Sequence, residues 1–106
     1  AIKAYNDIKE NHKDEYDFKE EEFVRLGYRY IKEGKIKEAV AVFKIYVMAY
    51  PESWYAYDYY ADALRENNEK EKAIENYKKS LELNPENSNA IKNIKKLGVD
   101  IEKLEK

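Results

Sequence analysis

The sequence offers few residues of the types that carry out catalysis. It contains one histidine, His12, no cysteine, and three serines, Ser53, Ser80 and Ser88. His12 lies in a charged linker with no cysteine near it, so it is not expected to act as a catalytic base. The serines stand where helix caps or helix-surface residues are expected. The sequence therefore predicts no catalytic residue.

Metal ligands and cofactor sites are equally scarce. The Glu20–Glu22 run resembles a carboxylate cluster, but it begins a predicted helix, where negative side chains complement the positive end of the helix dipole. The usual zinc sites need several cysteines and histidines, which the sequence lacks. We expect neither a metal nor a cofactor.

The charge pattern excludes further classes of partner. The formal net charge is −2, with 20 Lys and Arg and 22 Asp and Glu intermixed, whereas nucleic-acid-binding domains carry a basic footprint. Lys78, Lys79, Lys92, Lys95 and Lys96 could suggest phosphate binding. Because the chain is acidic overall and glutamates are interspersed along it, a solvated face is favoured. No run of about 18 apolar residues occurs, so we expect no membrane insertion. The lack of cysteine is compatible with the cytoplasm and with a bacterial periplasm, so the compartment stays open.

The elements that position these residues are helices, because the sequence contains a 34-residue internal repeat with helical spacing. Residue classes match at eight positions in two consecutive copies. The first copy has Phe23, Leu26, Gly27, Tyr30, Gly34, Ala39, Phe43 and Pro51, and the second has Tyr57, Tyr60, Ala61, Leu64, Asn68, Ala73, Tyr77 and Pro85.

Each matched position has a physical role in a pair of packed helices. The large apolar residues of the first helix lie at i, i+3 and i+7, on one stripe. Gly27 and Ala61 are small because the second helix must cross closely there. Gly34 and Asn68 fall between the helices, where the backbone needs a left-handed conformation. The prolines end the second helix.

This pattern resembles the tetratricopeptide repeat family over residues 20–87. The resemblance is strongest in the first copy, and the second departs from the family at Ala61, Leu64 and Asn68, where the family has Gly, Tyr and Gly. It implies an all-α fold, a right-handed α-α superhelix with two full helix-turn-helix repeats at 20–53 and 54–87. It also implies a protein-interaction function without catalysis.

The flanks complete a single domain over residues 1–106. We expect an N-terminal helix and linker at 1–17, with Asp17 and Glu20 as a capping box for the first repeat, and a capping helix and tail at 88–106. Lys95 replaces the small residue of the repeat, so that face is expected to be open to solvent. The predicted helices are 1–11, 19–33, 36–49, 53–66, 70–83 and 87–97.

In the family, the first helix of each repeat lines a concave face that binds partners. The corresponding positions here are Val24, Tyr28 and Ile31; Tyr55, Asp58, Tyr59, Asp62 and Arg65; and Asn89, Lys92, Asn93 and Lys96. The clamp by which some members grip a C-terminal carboxylate is missing, because Val24, Tyr28 and Tyr59 occupy its positions. The predicted partner-binding residues are Val24, Tyr28, Tyr55, Asp58, Tyr59 and Asp62.

The sequence is rich in aromatic residues, with eleven tyrosines and one tryptophan. Tyr57 and Tyr60 belong to the predicted core stripe. Consecutive helical residues point about 100° apart, so Trp54, Tyr55 and Tyr59 are expected to face at least partly outward. They either close the seams between neighbouring helices or contact a partner.

Two functions are consistent with these observations. The first is a protein-interaction module that binds a peptide or a partner domain through the concave face. The second is a structural appendage that dimerises or docks on its own parent chain. Residues 50–87 resemble tails that follow hydrolase domains, including serine β-lactamase-like ones, in some bacterial proteins. We therefore expect a longer parent protein, which can be an enzyme although this part carries no catalytic residues.

Overall fold

The computed structural model describes residues 19–98, and every regular element in this range is an α-helix. The helices are α1 (Glu20–Lys32), α2 (Ile36–Ala49), α3 (Trp54–Glu66), α4 (Lys70–Leu83) and α5 (Ser88–Lys96). Five of the predicted helices are thereby confirmed to within a residue at each end. The helix expected at 1–11 and the tail after Gly98 lie outside the described residues.

The helices pack in adjacent pairs. α1 packs on α2 and α3 on α4, α2 bridges to α3, and α5 packs on α4. α1 also contacts α3, so the first helices of the two pairs lie side by side. This arrangement confirms the helical-repeat fold, and the right hand of the superhelix stays a prediction.

The turns inside the two helix pairs, α1–α2 and α3–α4, have the same geometry, as the repeat predicts. Gly34 and Asn68 have positive φ angles of 77° and 61°. The backbone N–H of Lys35 donates to the Tyr30 carbonyl at 2.8 Å, and Glu69 repeats this bond to the Leu64 carbonyl at 2.9 Å. These bonds satisfy carbonyl groups that a helix end leaves without partners.

The start of α1 differs from the expected capping box of Asp17 and Glu20, which is wrong. Helix α1 begins at Glu20, so its N-cap is Lys19, whose backbone N–H donates to Glu22 Oε1 at 3.1 Å. Glu20 instead faces the second helix and accepts a hydrogen bond from the Tyr46 hydroxyl at 2.8 Å. Asp17 itself lies outside the described residues.

Two connected apolar clusters form the core. One contains Phe23, Ala39, Val42, Phe43, Ile45, Tyr46, Ala56 and Ala63. The other contains Ala61, Leu64, Ala73, Tyr77, Ala90 and Ile94. Val40 and Tyr60 pack against both clusters, so the core is continuous between the pairs.

The predicted close crossing at Gly27 is confirmed. A Cβ atom at this position would overlap the ring of Phe43, which is fully buried. Ala61, its counterpart, is fully buried in the second cluster. Lys95 is exposed, as expected.

Two other positions differ from the sequence expectation. Tyr57 is only partly buried, and its hydroxyl donates to the Pro51 carbonyl at 2.9 Å. Ser80, expected at a cap or on a helix surface, is fully buried and donates to the Trp54 carbonyl at 2.9 Å. That bond joins the end of α4 to the start of α3.

Candidate interaction surface

Three aromatic rings meet between the first helices of the two pairs. They belong to Tyr28 on α1, Phe43 on α2 and Tyr59 on α3. Tyr28 meets Tyr59 edge to face, with ring centroids 5.5 Å apart, and Tyr59 stacks on Phe43 at 5.7 Å. Tyr28 remains 39% exposed. Tyr59 therefore closes the seam between α1 and α3 while Tyr28 extends the aromatic surface to solvent.

Tyr55 is the most exposed aromatic residue among those described, at 51%. Its ring stacks on that of Trp54, with centroids 3.9 Å apart and planes 24° from parallel. The prediction that Trp54, Tyr55 and Tyr59 face partly outward is confirmed, because Trp54 and Tyr59 are only half-buried.

Two adjoining hollows border Tyr55, and together we call them the cleft. The first has a volume of about 390 Å³ and is lined by Glu20, Glu21, Val24, Arg25, Tyr46, Tyr55 and Tyr59. The second has a volume of about 470 Å³ and is lined by Glu20, Ala49, Tyr50, Pro51, Glu52, Ser53, Trp54 and Tyr55. Glu20 and Tyr55 line both hollows, so they mark the boundary between them.

The Glu20 carboxylate, at the boundary of the two hollows, accepts hydrogen bonds from two elements. Glu20 Oε1 accepts from the hydroxyl groups of Tyr46 on α2 and Ser53 at the start of α3. Burial, together with the bond to Glu20, raises the pKa of Tyr46 far above its usual range. Tyr46 therefore stays neutral and keeps donating to Glu20, which fixes the carboxylate at the boundary of the two hollows.

Asp58 is turned inward and anchors the start of α5. It is only 8% exposed, and its carboxylate accepts from Asn87 Nδ2 at 3.1 Å and from Asn89 Nδ2 at 3.0 Å. Asn87 is the N-cap of α5, and its Nδ2 also donates to Ser80 at 2.8 Å. The Asp58 carboxylate therefore links α3 to the start of α5.

Asp62 is also bonded within the protein. It accepts from the Tyr77 hydroxyl and, at 3.4 Å, from Asn89 Nδ2, and it lies 3.8 Å from Arg65. Arg65 in turn donates to Asn93 Oδ1 on α5. This network ties α3 to both α4 and α5.

Burial is the largest cause of the shifted pKa values of Asp62, Tyr28 and Tyr59. Burial raises the pKa of Asp62, and the nearby Asp58 adds to this, while the bond from Tyr77 opposes it. Burial, with the neighbouring Asp62, also raises the pKa of Tyr28, and burial with Asp58 raises that of Tyr59. Both hydroxyl groups therefore stay neutral and available as hydrogen-bond donors near neutral pH.

The predicted site residues fall into two groups. Val24, Tyr55 and Tyr59 share the first hollow, and Tyr28 contacts Tyr59. Asp58 and Asp62 lie on the same helix but are bonded to α4 and α5. Of the remaining concave positions, Arg65, Asn89 and Asn93 belong to the polar network, Ile31 packs against the core, and Lys92 and Lys96 are exposed.

The sequence prediction missed residues that line the cleft. Glu20, Glu21 and Arg25 on α1 and Tyr46 on α2 are among them. The repeat offered one indication for Glu21, which stands 34 residues before Tyr55 and therefore at the same helix position. Tyr46 gave no such indication, because its spacing matches a core residue.

Two further features were sought among the described residues, a metal-ligand cluster and a membrane-spanning helix. Between residues 19 and 98, no group of three or more His, Cys, Asp or Glu side chains could hold a metal ion. In the same range, no helix is long and apolar enough to cross a membrane.

Comparison with known families gives a match over part of the chain. A tetratricopeptide repeat family model matches residues 54–87, which span α3, α4 and the turn that follows. No curated protein matches the chain. Repeats of this family generally mediate protein–protein interaction and are typically non-enzymatic.

Proposed function

We propose that this tetratricopeptide-repeat chain binds an extended peptide segment of another protein in the cleft between α1 and α3. The observation that carries the proposal is the cleft itself, which exposes aromatic surface beside the joined first helices. Tyr55 is the most exposed aromatic residue that lines the cleft, since half of its area is open to solvent.

The aromatic residues suit partner binding because the structure holds them in place. Tyr55 stacks on Trp54, and Tyr59 stacks on the buried Phe43. A partner that contacts these rings orders few additional rotamers, and avoiding that ordering favours affinity. Large aromatic side chains also supply the strongest contacts in most protein interfaces.

The six residues selected from the sequence then divide by role. We propose that Val24, Tyr28, Tyr55 and Tyr59 contact the partner directly. Asp58 and Asp62 position α3 relative to α4 and α5, because their carboxylates accept hydrogen bonds from Asn87, Asn89 and Tyr77.

A random dodecapeptide library displayed on phage, with every peptide blocked at its C terminus, tests this proposal. Peptides that bind the 106-residue chain are expected to lose binding to Tyr55→Ala. Met48→Ala is the matched control, because Met48 is 59% exposed and lines neither hollow. Circular dichroism checks that both variants remain helical. Failure to select any peptide that depends on Tyr55 would overturn the proposal.

A second candidate is the structural appendage, which dimerises or docks on a parent enzyme. Met48 on α2 is the most exposed large apolar side chain of the described residues, so a contact of this kind can be tested there. Light scattering over a concentration range separates the candidates. A dimer that dissociates on Met48→Ala supports the appendage. A dimer that dissociates on Tyr55→Ala shows that the cleft serves self-association, and the peptide proposal then falls.

A further inference from the structure

The cleft has an uneven distribution of charge around an apolar surface. Its lining includes three carboxylates, Glu20, Glu21 and Glu52, and a single guanidinium, Arg25. Glu21 and Glu52 are exposed. Within residues 19–98, none of the three carboxylates forms an ion pair with a lysine or arginine. Among the described residues, the rim of the cleft therefore carries more negative than positive charge.

The two hollows differ in the ligand group that each suits. The first is lined by Val24, Tyr55 and Tyr59 together with the nearly buried Tyr46, and this apolar lining favours an apolar side chain. The second places the stacked rings of Trp54 and Tyr55 beside Glu20 and Glu52. An aromatic face next to a carboxylate is a favourable environment for a guanidinium or ammonium group, because both the ring and the anion attract the cation.

We infer that the cleft selects a peptide segment in which an arginine or lysine lies beside an apolar residue. The apolar side chain occupies the hollow at Val24, and the cation lies against Tyr55 near Glu20 and Glu52. Acidic segments and free C-terminal carboxylates are disfavoured, since the rim would repel them. This inference rests on the proposed peptide-binding function and adds the chemical class of the partner.

The composition of the peptides selected from the blocked library tests the inference. Peptides that depend on Tyr55 are expected to be enriched in arginine or lysine next to leucine, isoleucine or an aromatic residue. Changing the basic residue of such a peptide to glutamate is expected to abolish measurable binding. Raising the salt concentration is expected to weaken binding of the basic peptide, because salt screens exposed charges.

Variants of the rim separate charge from shape. The double variant Glu21→Gln, Glu52→Gln is expected to weaken binding of a basic peptide about fivefold, since an exposed ion pair contributes modestly. Glu75→Gln is the matched control, an exposed glutamate on α4 outside both hollows, and is expected to leave affinity unchanged.

The outcomes distinguish this inference from the proposed function. Tyr55-dependent peptides that are neutral or acidic, or that bind the double variant as tightly as the unaltered chain, would refute the cationic partner while leaving peptide binding intact. A library that yields no Tyr55-dependent peptide would remove both.

Discussion

The Tyr77 hydroxyl donates a hydrogen bond to Asp62 across the α3–α4 interface. The positions 34 residues earlier are occupied by Phe43 and Tyr28, whose rings meet edge to face with centroids 6.4 Å apart. The same place in the helix pair therefore holds an aromatic contact in the first repeat and a polar bond in the second. Because Tyr77 is fully buried, its hydroxyl needs this partner.

Removing the hydroxyl is expected to destabilise the fold. Tyr77→Phe removes the hydroxyl donor to the partly buried Asp62 carboxylate and leaves it only the longer contacts with Asn89 and Arg65. Losing a hydrogen bond to a charged group costs about 1.5–3 kcal/mol of unfolding free energy. Urea denaturation followed by circular dichroism measures the change. Tyr57→Phe is the matched control, because its hydroxyl bonds a carbonyl at the exposed surface, and a loss below about 1 kcal/mol is expected. Equal losses for the two variants would show that the Tyr77–Asp62 bond has no special weight.

The pH dependence of stability is expected to report Asp62. Its pKa is raised in the folded state, chiefly by burial, so between the unfolded and the folded pKa the native state binds the proton more tightly. The contribution of Asp62 is therefore fully present at low pH and is lost as pH rises through the folded pKa.

Asp62→Asn removes this titration while keeping an oxygen that can accept from Tyr77. The unfolding free energy of the variant, relative to the unaltered chain, is expected to rise as the pH increases from about 4 to about 7. Urea denaturation at several pH values measures this difference. A difference that stays constant over the range would contradict the raised pKa.

The crossing at Gly27 is expected to tolerate no larger residue. A methyl group there overlaps the ring of Phe43, which Tyr28, Tyr46 and Tyr59 surround. Gly27→Ala is therefore expected to cost about 1–3 kcal/mol despite the better helix propensity of alanine.

A double-mutant cycle measures whether that loss comes from the ring. Phe43→Leu opens space, so the double variant is expected to lose less stability than the sum of the single losses. Additive losses would show that the overlap with Phe43 is not the cause.

Features set by local spacing could be predicted from the sequence. The 34-residue offset located the turns at Gly34 and Asn68, and the apolar stripe located the helices to within a residue. These features depend on backbone conformation and on residues that lie close in sequence. The sequence therefore carries this information twice, once in each repeat.

Features that depend on side chains meeting across helices could not be predicted. Asp58 was assigned to the partner surface because of its helix position, yet Asn87 and Asn89, far along the chain, turn it inward. Glu20 was assigned to a helix start, and its role in the cleft depends on Tyr46 and Ser53. Such pairings have no fixed spacing, and the repeat does not reproduce them because its two copies differ at those positions.

The α1–α2 turn at Gly34 and the α3–α4 turn at Asn68 are equivalent, which gives a test that is free of packing effects. A Cβ atom at Gly34 would meet nothing within 4 Å, so substitutions there change only the backbone energy at φ 77°. Gly34→Ala is expected to cost about 1–2 kcal/mol, because an alanine in the left-handed region is strained. Gly34→Asn is expected to cost less, since asparagine adopts this conformation more readily and Asn68 occupies the equivalent turn at φ 61°. The reverse change, Asn68→Gly, is expected to be neutral or slightly stabilising. Thermal denaturation of the three variants checks this order, and an alanine variant as stable as the asparagine variant would show that the turn relaxes out of the left-handed conformation.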